Sequence, residues 1–285
     1  MTAVAEDDNE IEASRAPLLE HLVELRLRLI ICTAALFVGF IGCFFISQQI
    51  FEILARPLSL ANALVTEQKV QHGPFDLLLA ITGIKTVVGK PVLMQATAPL
   101  EFFFTKVKLA GVAAVMVTFP ILAWQLYRFV APGLYKRERR AFLPFLIASP
   151  VLFAMGAAMV YFIMLPFILW FSLSQNIQTA QLQVSLIAKV SDYLDMVTKL
   201  LLAFGLCFQL PVVVSLLGLA GLVSAKTLAM GRKYAFVGIV VAACFVTPPD
   251  MISPVLLSAP IYLLYEGSIL CVRLIERGRK SVATT

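Results

Sequence analysis

Two short stretches of this chain place a carboxylate among arginines where apolar residues otherwise dominate. The first, HLVELRLRLI, sets Glu24 just ahead of Arg26 and Arg28 in a helically spaced run of leucines. The second, RFVAPGLYKRERR from Arg128 to Arg140, sets Glu138 among Arg128, Lys136, Arg137, Arg139 and Arg140. A carboxylate takes two parallel hydrogen bonds from one guanidinium, so two carboxylates on one surface suit a ligand that carries two arginines. Each has a plainer reading beside it. Glu24 and Arg28 are an i,i+4 pair in the favourable order, worth about 0.2–0.5 kcal/mol on a helix surface. Glu138 equally softens repulsion among five cations in a solvated loop. No HExxH, GxSxG, P-loop or GxGxxG occurs, and His21 and His72 lie far apart on opposite expected sides. Nothing here has the spacing of a metal site or of a nucleophile with its base, so the expectation is a protein that is not an enzyme, with no cofactor and no metal.

The elements that must position these charges are membrane helices. Hydrophobic residues make up 60% of the 285 and charged ones 14%, with mean hydropathy +0.90; soluble domains run at about 45–50% and about 25%. Crossing a ~30 Å hydrocarbon core takes about 20 apolar residues in helical form. Six runs answer to that: Leu29–Ile46, Leu109–Tyr127, Phe142–Leu173, Leu200–Val223, Tyr234–Val246 and Ile252–Val272. The expected fold is an all-α integral membrane protein of six transmembrane helices, bent by prolines, the last two short. Pro120, Pro150, Pro166, Pro211 and Pro260 fall inside these runs, and each frees a carbonyl that a neighbour must satisfy. The fifth run stops at Thr247-Pro248-Pro249-Asp250 and covers only about 20 Å, so it must thin the bilayer or lean on neighbours.

The cations set the orientation. The N-terminal flank, the loops after the second and fourth runs and the C-terminal tail together hold fifteen of the 23 lysines and arginines. Both termini are therefore expected in the cytoplasm. The acidic N-terminus lacks the apolar core of a signal peptide. Residues 1–19 are expected as a disordered cytosolic tail, 20–275 as one six-helix membrane domain and 276–285 as a cytosolic C-terminal tail. Basic excess follows orientation rather than nucleic-acid binding. The five cysteines lie in apolar runs and read as small buried hydrophobes. Lys106 and Lys108 are expected to snorkel to lipid headgroups, Asp192 and Asp195 to favour a helix N-terminus, and Glu266 has no role that the sequence assigns.

HLVELRLRL, APLEFFFTKVKL, FVAPGLYKRERR, AFGLCFQLPVVV and TPPD, in that order from about Pro17 to Arg273, resemble the TatC family. That family is the multi-span signal-peptide receptor subunit of the twin-arginine protein translocase. The resemblance implies that Glu24 and Glu138 bind the arginines of a signal peptide at the cytoplasmic face. It places Arg26, Phe129, Arg139 and Arg140 on the same surface, and matches Pro57 and Asp250 to recurrent family positions of structural or transport importance. It implies partners of the single-span TatA and TatB types, signal peptides of folded cargo, a multimeric complex in a bacterial inner membrane, and transport driven by the proton-motive force. One position departs: Gln209 stands where many members have an acidic residue. An amide cannot ionise, but it can bond a partner helix or the carbonyl freed near Pro211, and both readings stay open. The apolar part of a captured signal is expected along a concave helical face. The competing class is a secondary transporter of a small solute, which would show internal repeats and ionisable residues near the bilayer midplane. No repeat is evident.

Overall fold

Leucine, isoleucine, valine and phenylalanine runs broken by few glycines leave little choice but helix, and five of the resulting helices are long and apolar enough to cross a membrane: Val23–Phe45, Glu101–Phe129, Phe145–Ser172, Val190–Leu219 and Ser253–Arg277. The computed structural model describes residues 2–66, 74–84, 94–130, 136–174, 177–178, 183–184, 189–247 and 253–283, with side chains described at 23–63, 75–84, 94–129, 145–172, 189–247 and 253–277. Its elements are α1 (Thr2–Phe45), α2 (Ser47–Thr66), α3 (Pro74–Ile81), α4 (Glu101–Val130), α5 (Lys136–Met159), a π turn (Val160–Met164), α6 (Leu165–Ser174), α7 (Val190–Cys207), α8 (Leu210–Leu219), α9 (Ala225–Met230), α10 (Arg232–Val246) and α11 (Ser253–Ala283). Among the described residues the only strands are Ile177–Gln178 and Gln183–Val184, an antiparallel pair with Ile177 opposite Val184. The all-α membrane fold is as expected. Helix α1 begins at Thr2, ahead of the expected domain start at residue 20, and α11 continues past residue 275.

Two expected span boundaries move. The second span starts at Glu101 rather than Leu109, and the fourth at Val190 rather than Leu200. The sequence also allows the fourth an earlier start near Tyr193, with Asp192 and Asp195 at its N-terminal end, and the structure bears that start out. Tyr193, Leu194 and Val197 are buried while Lys199 on the same helix is exposed, so the helix keeps its charges off the packed side. The expected fifth span is α10, whose 15 residues reach about 22 Å, short of a ~30 Å core. It lies against α11 along its length: Arg232 at its start meets Glu266, and α11 begins just after its end.

Helices α1 and α4 run antiparallel, with Arg28 near Gln125 and Phe44 near Phe103. Small residues allow the approach. A Cβ on Gly39 would come within 2.6 Å of the Thr118 methyl, and Ala110 and Ala114 are buried. The same device joins α5 to α7, where Gly156 lies against the Phe204 carbonyl and Gly205 against the Phe153 ring. Lipid is as apolar as leucine, so such interlocking contacts, rather than burial from water, hold membrane helices together. Outward residues such as Phe45 (81% exposed) and Phe245 (86%) fit that solvent. The cysteines divide: Cys43 is buried and Cys244 exposed, so burial does not hold for all five.

Candidate functional site

Glu24 sits on α1 one turn before Arg28, and the two form an ion pair. The Arg28 side chain is 13% exposed and also donates to the Gln125 carbonyl on α4 at 3.5 Å; the Glu24 side chain keeps 35% exposure. The arginine is thus drawn into the α1–α4 seam while the carboxylate stays at its edge. Phe129 is half-buried one helical turn beyond Gln125, at the same end. Arg128 beside it is exposed in the last turn of α4, where a cation complements the helix dipole. Arg26 is exposed, but two residues from Glu24 places it on another side of α1, so the structure does not bring these two together on one face. Glu138, Arg139 and Arg140 lie in the first turns of α5. That helix follows α4 after five residues, so its start belongs to the Glu24 end; their side chains lie outside the described residues.

The opposite end is built on Pro57. Its ring is buried inside α2 and supplies no N–H to the Ile53 carbonyl one turn back. The Tyr161 hydroxyl donates to that carbonyl at 2.9 Å, and the buried Tyr193 hydroxyl donates to the Leu54 carbonyl at 2.7 Å. Tyr161 therefore closes the gap that the proline opens, and Tyr193 ties α7 to the next carbonyl of α2. Nearby, Glu101 caps its own helix: Oε2 accepts from the Thr97 N–H at 2.6 Å, the Thr97 hydroxyl at 2.9 Å and the Ala98 N–H at 3.1 Å. Lys189 stands 3.9 Å from the other carboxylate oxygen. Lys108, expected only to snorkel, reaches both oxygens of Asp195 at 3.2 Å.

Gln209 occupies the break between α7 and α8, ahead of Pro211. Its amide nitrogen donates to the Ser149 carbonyl at 2.9 Å and its oxygen accepts from the Ser149 hydroxyl at 2.7 Å. The bond partner is thus α5, not the carbonyl that Pro211 frees in its own helix. Asp250 lies outside the described residues. Before it, α10 closes with the Thr247 hydroxyl donating to the Ala243 carbonyl at 3.0 Å.

Sequence reasoning missed two groups. Tyr161 and Tyr193 were passed over among apolar neighbours, although a helix proline and a buried phenol each announce an unmet bond. Glu266 had no assigned role, and here it is ion-paired with Arg232, accepting from a terminal guanidinium nitrogen at 2.8 Å and from the Tyr262 hydroxyl at 3.1 Å. With the Tyr265 hydroxyl on the Leu228 carbonyl at 2.8 Å and Glu276 accepting the Ala225 N–H at 2.9 Å, it ties α9 and the start of α10 to α11. Among the described residues no group of three His, Cys, Asp or Glu is arranged to hold a metal ion.

The family model for the Sec-independent protein translocase protein TatC matches residues 20–260. The chain belongs to the TatC family. A TatC of Magnetococcus marinus is 40% identical over 93% of this chain and 87% of its own length. The TatC of Escherichia coli is 33% identical over 92% and 91%. A crystal structure of the twin arginine translocase receptor TatC superposes with TM-score 0.70 at 33% identity, over 90% of this chain and 99% of that one. As a TatC-family member, the chain is a membrane component of a protein translocase and not an enzyme.

Proposed function

We propose that this chain is the receptor subunit that binds Arg-Arg signal peptides of folded proteins at the cytoplasmic face of the inner membrane, for export driven by the proton-motive force. The observation that carries this reading is the placement of Glu24: its partner arginine is tucked against a second helix, while the carboxylate remains at the edge of the seam. A carboxylate anchored by its own arginine and part-exposed at the seam's edge lies where an incoming guanidinium can reach it. Glu138 supplies the second carboxylate from the start of α5, Phe129, Arg139 and Arg140 border the surface, and Arg26 is exposed on another side of α1. Lysine lacks the planar fork, so Arg-Arg is favoured over Lys-Lys. Both termini are cytoplasmic, and α10 serves as a short fifth span that brings the total to six. Single-span partners of the TatA and TatB types dock on the bundle, with the second amide hydrogen of Gln209 available to one of them. Pro57 and Asp250 shape the far end.

The test is binding of an Arg-Arg signal peptide and its Lys-Lys twin to the protein in nanodiscs. Preference for Arg-Arg that disappears in the Glu24→Ala/Glu138→Ala variant is the expected result. Equal, weak binding of both peptides by the unaltered protein would sink the receptor reading.

A further inference from the structure

An apolar cavity of about 310 Å3 opens between α2, α4, the π turn and α7. Its wall includes Leu54, Leu109, Ala113, Ala158 and Leu201. Three small alanines, Ala113, Ala157 and Ala158, and the wide turn leave the space that larger side chains would fill. Two hydroxyls also reach it, and both hydrogens are committed to carbonyls: Tyr161 to Ile53 at 2.9 Å and Thr198 to Leu194 at 2.6 Å. A wall with no donor to spare does not hold water. Hydrocarbon from the surrounding bilayer meets no such difficulty. An extended alkyl chain is thin enough to enter.

Charge at one rim says which molecule carries that chain. Lys106 and Lys108 lie one turn before Leu109 and Val112 on α4, on either side of the stripe that faces the cavity. The Lys106 ammonium lies 4.7 Å from the Phe102 ring, whose edge meets Phe51 of α2. Arg56 of α2 is exposed and within electrostatic reach of the Tyr161 hydroxyl. Among the described residues at this end of α2, α4 and α7, with the α7 cap, five cations (Arg56, Lys106, Lys108, Lys189 and Lys199) stand with four carboxylates (Glu52, Glu101, Asp192 and Asp195), and Lys108 with Asp195 and Lys189 with Glu101 pair off. The remainder leaves this end positive by one. The geometry points to a bound anionic glycerophospholipid from the leaflet on the Glu101 side, one acyl chain in the cavity and its phosphate against Arg56, Lys106 and Lys108.

The test is native mass spectrometry of the protein released from nanodiscs of equal phosphatidylglycerol and phosphatidylcholine. The unaltered protein retains one phosphatidylglycerol, favoured by about tenfold over phosphatidylcholine, equivalent to ~1.4 kcal/mol. Ala158→Leu fills the cavity from an exposed position and loses the retained lipid. Arg56→Gln/Lys106→Gln leaves Lys108 with Asp195, and keeps a lipid but loses the preference for phosphatidylglycerol. Equal retention of the two lipids by the unaltered protein, or undiminished retention by Ala158→Leu, overturns the assignment. So does one-for-one ejection of phosphatidylglycerol by saturating Arg-Arg signal peptide, which would make the cavity the seat of the signal's apolar segment. Peptide affinity is measured separately at the Glu24 end, so failure of the lipid site and failure of the receptor reading are told apart.

Discussion

At the Pro57 end, hydroxyls and ammonium groups of α4, α7 and the π turn close on carbonyls and carboxylates of other helices. At the Glu24 end, one arginine reaches one carbonyl of a second helix, and Arg26 and Arg128 stay at the surface. The first arrangement satisfies backbone groups that lipid cannot satisfy, so each bond there is part of the fold. The second leaves Arg26 and Arg128 exposed and Glu24 part-exposed, where a ligand can reach them. A scaffold fixed at one end and open at the other is what a receptor requires, because binding residues are best held by elements whose own bonds are complete.

The comparison breaks most visibly if the open end proves structural. Glu24→Ala and Glu138→Ala should each weaken Arg-Arg peptide binding by roughly 10- to 100-fold, as expected for a lost charge-assisted bond of about 1.5–3 kcal/mol. Thermal unfolding in the same nanodiscs should not move, and a lowered melting temperature would place Glu24 in the fold instead. Tyr193→Phe is the converse. It removes one buried inter-helix hydrogen bond and should lower stability by about 0.5–1.5 kcal/mol, with peptide affinity within twofold. Unchanged stability would mean that the far end is less tightly built than its bonds suggest.

Gln209→Leu sharpens the contrast from the middle of the bundle. It removes both bonds to Ser149, and we expect reduced co-purification of single-span partners with little change in peptide binding. A full partner complex would leave Gln209 as a tie between α5 and α7 alone. Smallest is Lys108→Met. Its pair with Asp195 is largely exposed, so the change in stability should stay below about 1 kcal/mol, and a larger loss would show that the bridge is shielded by lipid.

The sequence made the membrane class, the run of helices and the Glu24–Arg28 pair legible, because composition, apolar run length and i,i+4 spacing are local properties. It also placed Glu138, Arg139 and Arg140 next to the C-terminal end of α4. It did not reveal that Ile53 and Leu54 find their donors more than a hundred residues away, at Tyr161 and Tyr193, or that Gln209 turns to Ser149 rather than to its own helix. Those partners are fixed by how helices pack, which no local spacing encodes. The second span's start at Glu101 was missed because Lys106 and Lys108 read as its outer end, whereas the fourth's early start near Tyr193 was within reach of the sequence.

The π turn at Val160–Met164, where the Leu165 N–H reaches back to the Val160 carbonyl, holds one residue more than an α-helical turn. It acts as a phase shift within one continuous span. Ahead of it, Gly156 and Ala157 face α7; after it, Ile168 and Leu169 join the core with α2 and α3. Deleting a single residue from this turn would restore regular α geometry and rotate everything beyond by about 100°, carrying Ile168 and Leu169 away from α2. The extra residue is thus a reading-frame device in three dimensions, letting one helix address two sets of neighbours that a regular helix would present in the wrong order.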